Sequence, residues 1–347
     1  MLQKRINKET HRIVVIEKRD YYAHWPALIR ASVTDSDSLD ELALVPNDRA
    51  FDSDVRVVRS SVKEITKSNV ITESMETIPY EHLVLATGSI WKGPLNLPDS
   101  REKAIEHFKT FRKKLDAAQH VLIVGGGAVG VEYAGELRHF YPNKKVTIIH
   151  GDNALLNKTY SPKFRKSVLD AATSKGTQVI LGDKISPEAV PEEGHVTSAT
   201  GRMIRADIVI QAAGGQPNTS FVGALDSAVL TKSRTVLVTP ELRVKLSSGA
   251  QNVWAIGDII EWAEQKMVFK ASTGHAPVVA KNIVASIQGS KLAQYGGKPE
   301  MIIVTLGPKG GRAFVPVFGG LVLGDWMVSK MKSSNLFLSK IREALGY

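Results

Sequence analysis

Apolar residues in this chain come in short runs that end in glycine, and the runs alternate with stretches of helical periodicity. The clearest case is HVLIVGGGAVGVEYAGEL, residues 120–137, followed by KVTIIHG, residues 145–151. Consecutive apolar positions at 121–124 predict a buried strand, the stretch after the glycines predicts a helix, and 145–151 predicts a second strand. Together they make a parallel βαβ unit. Similar runs predict strands at 13–16, 55–58, 70–73, 83–86, 177–181, 195–198, 208–212, 253–256 and around 301–305. Helices are expected at 101–119, at 275–287, at 327–345, and at 161–175 with Ser161 as N-cap and Pro162 in the first turn. Residues 1–8 read as the tail of a helix. This alternation puts the chain in the α/β class.

Gly125, Gly127 and Gly130 have the G-x-G-x-x-G spacing of a dinucleotide-binding turn. The first allows a sharp turn, the second lets backbone approach a pyrophosphate, and the third lets the helix pack close to the strand. The helix N-terminus then offers free N–H groups and a positive dipole end to phosphates. The competing reading is a glycine-rich turn that binds nothing; the following strand at 145–151 weighs against it. Two further strands end in small residues, one in Ala86-Thr87-Gly88 and one in Ala213-Gly214-Gly215. The repetition predicts two Rossmann-like nucleotide folds, one nested in the other. The expected divisions are a partial first domain at 1–110, a nucleotide domain at 111–225, the second part of the first domain at 226–290, and a short α+β region at 291–347. Glu17 ends the first apolar run, where an acid takes ribose hydroxyls in such a fold; taken alone, it is an ordinary strand end. No strand and no glycine turn precede it. The chain is therefore expected to begin partway into a βαβ unit, short of roughly 25 residues of strand, turn and helix. Without that strand, apolar sheet edges are left unpaired.

Composition changes this picture in three ways. The chain has 347 residues, 43% hydrophobic and 23% charged, which suits two domains. It has no cysteine, which excludes disulfides, thiolate metal sites and a redox dithiol. Its formal net charge of +10 attracts anionic partners, nucleic acid among them, but the lysines and arginines are spread out and no nucleic-acid-binding motif accompanies them. No run is apolar enough to span a membrane, and no signal-peptide pattern opens the chain, so a soluble intracellular protein is expected.

The order Glu17, Ala86 to Gly88, GGGAVGVE, AAGGQPN at 212–218 and NVWAIGD at 252–258 resembles the two-dinucleotide-binding flavoproteins. These are pyridine-nucleotide oxidoreductases whose FAD domain is interrupted by an NAD(P)H domain. Within them the chain is most similar to the apoptosis-inducing-factor homologues associated with mitochondria, the branch of the ferroptosis-suppressor-type quinone reductases and their fungal relatives. IPYEHLVLATGS, VTIIHG and KMVFKASTGHAPVVAKNI carry that closer likeness, and the resemblance covers nearly the whole chain.

The resemblance implies FAD and NAD(P)H as cofactors, with hydride passing from nicotinamide to flavin and electrons going on to a quinone or similar acceptor. It places Gly257 and Asp258 at the second FAD fingerprint and His275 under the flavin ring; read without it, they are a turn glycine, a cap-like acid and a helix-entry histidine. Glu132 would face the nicotinamide and orient it through the carboxamide, against a plain reading as an acid favoured by the helix dipole. Lys270 would steady charge on the reduced flavin, with Lys266 the competing candidate. His150 stands where an acid favours NADH and an arginine NADPH, with Asp152 close enough to compensate, so NADH and NADPH both stay open.

A second reading is a flavin-free, non-catalytic NAD(P)-responsive binding protein that uses its basic charge on nucleic acid. At the C-terminus, Trp326, Met327, Met331, Leu336, Phe337, Ile341 and Leu345 mix with Lys330, Lys332, Lys340 and Arg342. That pattern reads as a membrane-surface helix, or as an amphipathic helix packed on the domain or on the partner in a homodimer. The implied location is the cytoplasm, peripheral to a membrane such as the mitochondrial outer surface.

Overall fold

A computed structural model describes residues 1–317 and 319–347. The elements that place the sites begin with β1 (Val14–Ile16), α1 (Trp25–Val33), β2 (Arg56–Val58) and β3 (Leu83–Leu85). Then come β4 (His120–Val124), α2 (Ala128–Phe140), β5 (Lys145–His150), α3 (Pro162–Ser174), β6 (Gln178–Leu181) and β7 (Ile208–Gln211). The rest are β8 (Val253–Ala255), α4 (Ala276–Ile287), β9 (Ile302–Thr305), β10 (Gly311–Val315) and β11 (Leu321–Leu323). The chain forms two compact units. Packing cuts it differently from the linear divisions read in the sequence: residues 21–50 and 91–110 cluster with 111–214 and 300–347.

The first unit holds residues 1–20, 51–90 and 215–299. Its core surrounds the fully buried Trp254 of β8, with Ile65, Leu85, Val236, Val279 and Ile283. β8 pairs in parallel with β3, and β1 pairs in parallel with β2. Among the described residues these are two separate two-stranded pieces. The apolar residues of β1 are only half-buried, and Val84 in β3 is exposed. Parallel strands of this composition are normally covered on both faces and paired on both edges; among the described residues β1 and β3 each pair along one edge. Three antiparallel strands, Val62–Ile65, Asn69–Thr72 and Thr77–Pro79, form a further sheet of the unit, and two short pairs, Ser89–Ile90 with Gln216–Pro217 and Val236–Leu237 with Ile260–Glu261, add to it.

The second unit contains the complete Rossmann-like sheet, four parallel strands in the order β6-β5-β4-β7. β4 aligns Val121 with Val146 of β5 and with Ile208 of β7, and its last four residues are buried. Ser161 caps α3 as expected, accepting the Phe164 N–H at 3.3 Å. The antiparallel strands β9, β10 and β11 follow. Gly135 lets α2 approach Leu306 just after β9: a Cβ there would lie 2.4 Å from the Leu306 Cα.

Three local expectations are corrected, and one helix, α1, was not expected. Residues 1–8 form only a 3-10 turn, Leu2–Lys4. α1 has no amphipathic stripe to read, because seven of its nine residues are buried. The helix expected from 275 starts earlier, at Val268–Lys270, and passes through a π turn, Ala271–His275, before α4, so His275 sits inside it. The single helix expected at 327–345 is broken. Asp325–Val328 runs into a π turn, Ser329–Ser333, and a separate helix forms at Leu338–Ala344. Leu336 and Phe337 adopt φ of 52° and 60° between them, a conformation that ends a right-handed helix. Leu336 is buried, and its carbonyl accepts a 2.6 Å bond from His24 Nε2.

α1 is locked to α2 by ionic as well as apolar contact. Arg30 donates two 2.9 Å bonds to Glu136, both side chains being almost wholly buried. Burial pushes the Glu136 carboxyl up, and Arg30 opposes it. Removing either partner leaves an uncompensated buried charge, so Arg30→Ala or Glu136→Ala should each cost about 3–5 kcal/mol, while the paired change Arg30→Met with Glu136→Leu should recover most of it. Urea unfolding of the three variants checks this; equal loss in the double variant would refute it.

Candidate functional site

The glycine turn of the second unit sits between β4 and α2. Gly125 has φ of 115°, and a Cβ there would lie 2.7 Å from the Ala212 carbonyl oxygen at the end of β7. A Cβ at Gly130 would lie 1.9 Å from the Gly125 carbonyl oxygen. Packing therefore demands both glycines. Gly127 differs: nothing lies within 4 Å of a Cβ built there, and it caps α2 without a side-chain bond. The open space before an uncapped helix N-terminus fits an approaching phosphate. Gly214, with φ of 93°, leaves similar room beyond β7. At the end of β5, His150 Nδ1 accepts the Gly126 N–H at 3.1 Å, which puts the ring proton on Nε2. Burial lowers its pKa, with Asp152 opposing.

Glu132, read in the sequence as a lone acid, has two partners in the fold. It lies in the second turn of α2, buried, and pairs with Lys332 Nζ at 2.6 Å. It also accepts the Thr305 N–H at 2.9 Å. Both bonds fall on Oε1, and a tenth of the side-chain surface stays open. Lys332 donates a further 3.1 Å bond to the Ile303 carbonyl. No local signal links positions 132 and 332.

In the first unit, the parallel register of β3 and β8, Leu85 opposite Ala255, places Ala86, Thr87 and Gly88 beside Gly257 and Asp258. Gly88 and Gly257 have φ of 65° and 78°. Thr87 Oγ1 donates to the Asn218 carbonyl at 2.6 Å, and Ser89 Oγ donates to Asp258 Oδ2 at 2.7 Å. The Gly257 N–H donates to His275 Nδ1 at 3.1 Å, and His275 Nε2 donates to Glu264 Oε1 at 2.8 Å. Tyr295 donates its hydroxyl to Glu264 Oε2 at 2.9 Å and meets the His275 ring edge-on at 4.6 Å. Lys270, 1% exposed, lies 3.9 Å from the same oxygen. Lys266 binds the Ile260 carbonyl, and burial lowers its pKa. Glu264 is thus the hub of a buried network under the Gly257 turn, and sequence reading missed it and Tyr295. Burial lowers the His275 pKa despite Glu264. Glu17, half-buried after β1, turns Oε1 onto the Arg19 N–H at 2.9 Å.

The two glycine sites differ in completeness. The second unit supplies a whole cradle for a dinucleotide pyrophosphate. The first unit brings Glu17, Gly88 and the Gly257–Asp258 turn to strand ends, and residues 1–87 contain no glycine.

The family described as pyridine nucleotide-disulphide oxidoreductase matches residues 2–286. A Flammulina velutipes protein named FAD-dependent oxidoreductase FVFD30 is 36% identical over 320 residues, covering 90% of this chain and 98% of its own. Ferroptosis suppressor protein 1 of Xenopus tropicalis is 30% identical, covering 96% of this chain and 89% of its own. The sulfide:quinone oxidoreductase structure from Aquifex aeolicus shares the fold at 17% identity, with a TM-score of 0.76 over 96% of this chain and 86% of that one.

Two outcomes follow from this geometry. Gly130→Ala should destabilise the chain by at least about 3 kcal/mol, since backbone must move to admit the Cβ. Gly127→Ala should cost about 1 kcal/mol or less yet weaken NADH binding by roughly tenfold or more, because the space it fills is the ligand's. Denaturation and calorimetry on both variants separate the effects; undiminished NADH binding by Gly127→Ala would refute the cradle.

Stability should also depend on pH. His150 and His275 have folded pKa values below the ordinary ~6.5. Below 6.5 the unfolded chain therefore binds more protons than the folded one, so stability is intact above that value and falls as pH drops toward the depressed values. Denaturant midpoints between pH 7.5 and 5 should decline, and less steeply in His275→Gln; a flat profile would count against the neutral buried imidazoles.

Proposed function

This chain belongs to the pyridine nucleotide-disulphide oxidoreductase family, and on that footing we propose that it is a FAD-dependent NAD(P)H oxidoreductase acting on a quinone-like acceptor. The observation that carries this reading is the presence of two strand-end glycine sites in one chain, Gly125 to Gly130 in one unit and Gly88 with Gly257–Asp258 in the other. The name of the Flammulina relative, FAD-dependent oxidoreductase, supports FAD, and nothing in these relatives favours the flavin-free reading. When bound, FAD would supply the redox chemistry, uptake of hydride from a reduced nicotinamide and release of electrons to the acceptor. The absence of cysteine leaves no dithiol to relay them, so transfer to the acceptor is direct.

The chain's own residues bind and orient. The Gly125–Gly130 turn and the α2 N-terminus hold the nicotinamide cofactor's pyrophosphate. Lys332 and the Thr305 N–H hold Glu132 through Oε1, leaving Oε2 to accept a hydrogen bond from the carboxamide and set the ring for transfer. Glu17 takes the FAD ribose hydroxyls, and Asp258, steadied by Ser89, takes the ribityl and phosphate end. His275, held between the Gly257 N–H and Glu264, gives the flavin site a fixed floor. Trp326, Met327 and Met331 are 69%, 41% and 36% exposed, with Lys330 Nζ 4.3 Å over the Trp326 ring. Such apolar and cationic side chains suit contact with an anionic membrane surface, such as the mitochondrial outer surface, where a lipid-soluble acceptor would be met.

Anaerobic titration of the flavin-loaded chain with NADH or NADPH should bleach the flavin bands, and a soluble quinone should restore them. Glu132→Gln and Lys332→Met should each slow bleaching about ten- to a hundredfold by loosening nicotinamide orientation. Flavin bands untouched by either nucleotide would overturn the proposal.

A further inference from the structure

We propose that Lys184 reads the 2′ position of the adenosine ribose, and that the nicotinamide cofactor preferred by this chain carries a phosphate there. The inference rests on the nucleotide site proposed above and deepens it by choosing between NADPH and NADH.

In a doubly wound sheet the ligand lies beyond the carboxyl ends of the strands. β5 and β6 are parallel neighbours, with His150 opposite Leu181, so the residues that follow them form a common rim. The rim is tied together by bonds from the Gly182 N–H to the Asp152 carbonyl, 3.1 Å, and from the Asp183 N–H to the His150 carbonyl, 3.2 Å. The end of β5 is where a carboxylate would accept both ribose hydroxyls and repel a 2′-phosphate. Here it is His150, turned inward. Its Nδ1 is occupied by the Gly126 N–H, its Nε2 is buried without a hydrogen bond, and burial keeps the ring neutral. It presents neither an acceptor to the hydroxyls nor a negative charge against a phosphate.

Gly151 comes next, and Lys184 lies across it. A Cβ on Gly151 would meet the Lys184 Cε at 2.5 Å, Cγ at 3.0 Å and Cδ at 3.2 Å. The lysine stem therefore crosses the rim directly beyond β5, over a position where any side chain would displace it. Its backbone is fixed on both sides, its N–H donating to Asp183 Oδ1 at 2.8 Å and its carbonyl accepting the Ala199 N–H at 2.8 Å. Its side chain is exposed, and its ammonium makes no ion pair among the described residues. The neighbouring Asp183 makes no ion pair with it among the described residues: its carboxylate accepts the Thr200 hydroxyl at 2.7 Å and the Lys184 and Thr200 N–H groups at 2.8 and 3.3 Å. Arg165, fixed on the carbonyls of Ala154, Leu155 and Leu156, adds positive charge near His150. The exposed acid of the rim is Asp152. If Asp152 took the ribose hydroxyls instead, the preference would be reversed.

Adenosine fragments test this without flavin or turnover. Calorimetric titration of the full chain with 2′,5′-ADP and with 5′-AMP at low ionic strength should show the bisphosphate binding at least about fivefold more tightly. Lys184→Ala should erase that difference. Lys145→Ala, at the opposite end of β5, should leave it unchanged, and Asp152→Asn should widen it. Equal or tighter binding of 5′-AMP, or a preference that survives Lys184→Ala, would overturn the assignment. Failure of both fragments and of NADH to bind would overturn the nucleotide site itself, a separate result from a site that binds without this preference.

Discussion

Everything at the nucleotide site depends on one approach of backbone to backbone. Position 130 on α2 comes so close to the Gly125 carbonyl that a Cβ would sit 1.9 Å from its oxygen. That room sets where α2 starts and aims its N-terminus across the ends of β4 and β7. Position 125 must also turn with a φ that disfavours other residues, against the Ala212 carbonyl. Position 127 meets neither demand, yet it too is glycine. Two of the three glycines are explained by the fold; the third leaves open space, which the proposed pyrophosphate would fill.

Around this turn, charge is held in place by burial. Arg30 with Glu136 and Lys332 with Glu132 sit one turn apart on the acidic face of α2. Each pair joins α2 to a segment far away in the chain. Breaking such a pair strands a charge in a medium that solvates it poorly, so each carboxylate is held in place by its partner. Immobility is what an orienting carboxylate needs, and the Thr305 N–H adds a second fixed point to Glu132. In the other unit Glu264 plays the corresponding part for His275, whose opposite nitrogen reaches the Gly257 turn.

The two units also show how the number of paired edges bears on the burial of a strand. β4 and β1 have similar apolar compositions, but β4 has partners on both edges and is buried, whereas β1 has one partner and is half-exposed. The same holds for β3, whose Val84 faces solvent. Residues on the open-edged strands still bring Glu17, Gly88 and the Gly257–Asp258 turn to strand ends, because pairing with β2 and β8 is enough to keep those ends in register.

By itself the amino-acid sequence determined whatever depends on neighbours in the chain. Periodicity marked β4, α2, β5, α3 and the other strand positions of the complete sheet. Ser161 and Pro162 marked a helix start, and the glycine spacing marked the phosphate turn. These are local, since a hydrogen-bonded turn or an apolar strand is written in consecutive residues. Tertiary structure alone decided the rest. α1 escaped notice because a helix buried on nearly all sides has no polar face to set a period. The C-terminal helix broke at Leu336 and Phe337, where burial of Leu336 and the His24 bond to its carbonyl accompany two left-handed residues. Lys332 was legible as a lysine but not as the partner of Glu132, nor Glu264 as the hub beneath His275, nor Lys184 as the cation lying over Gly151. Those roles exist only where the fold brings distant positions within a few ångströms and removes the water that would otherwise screen them.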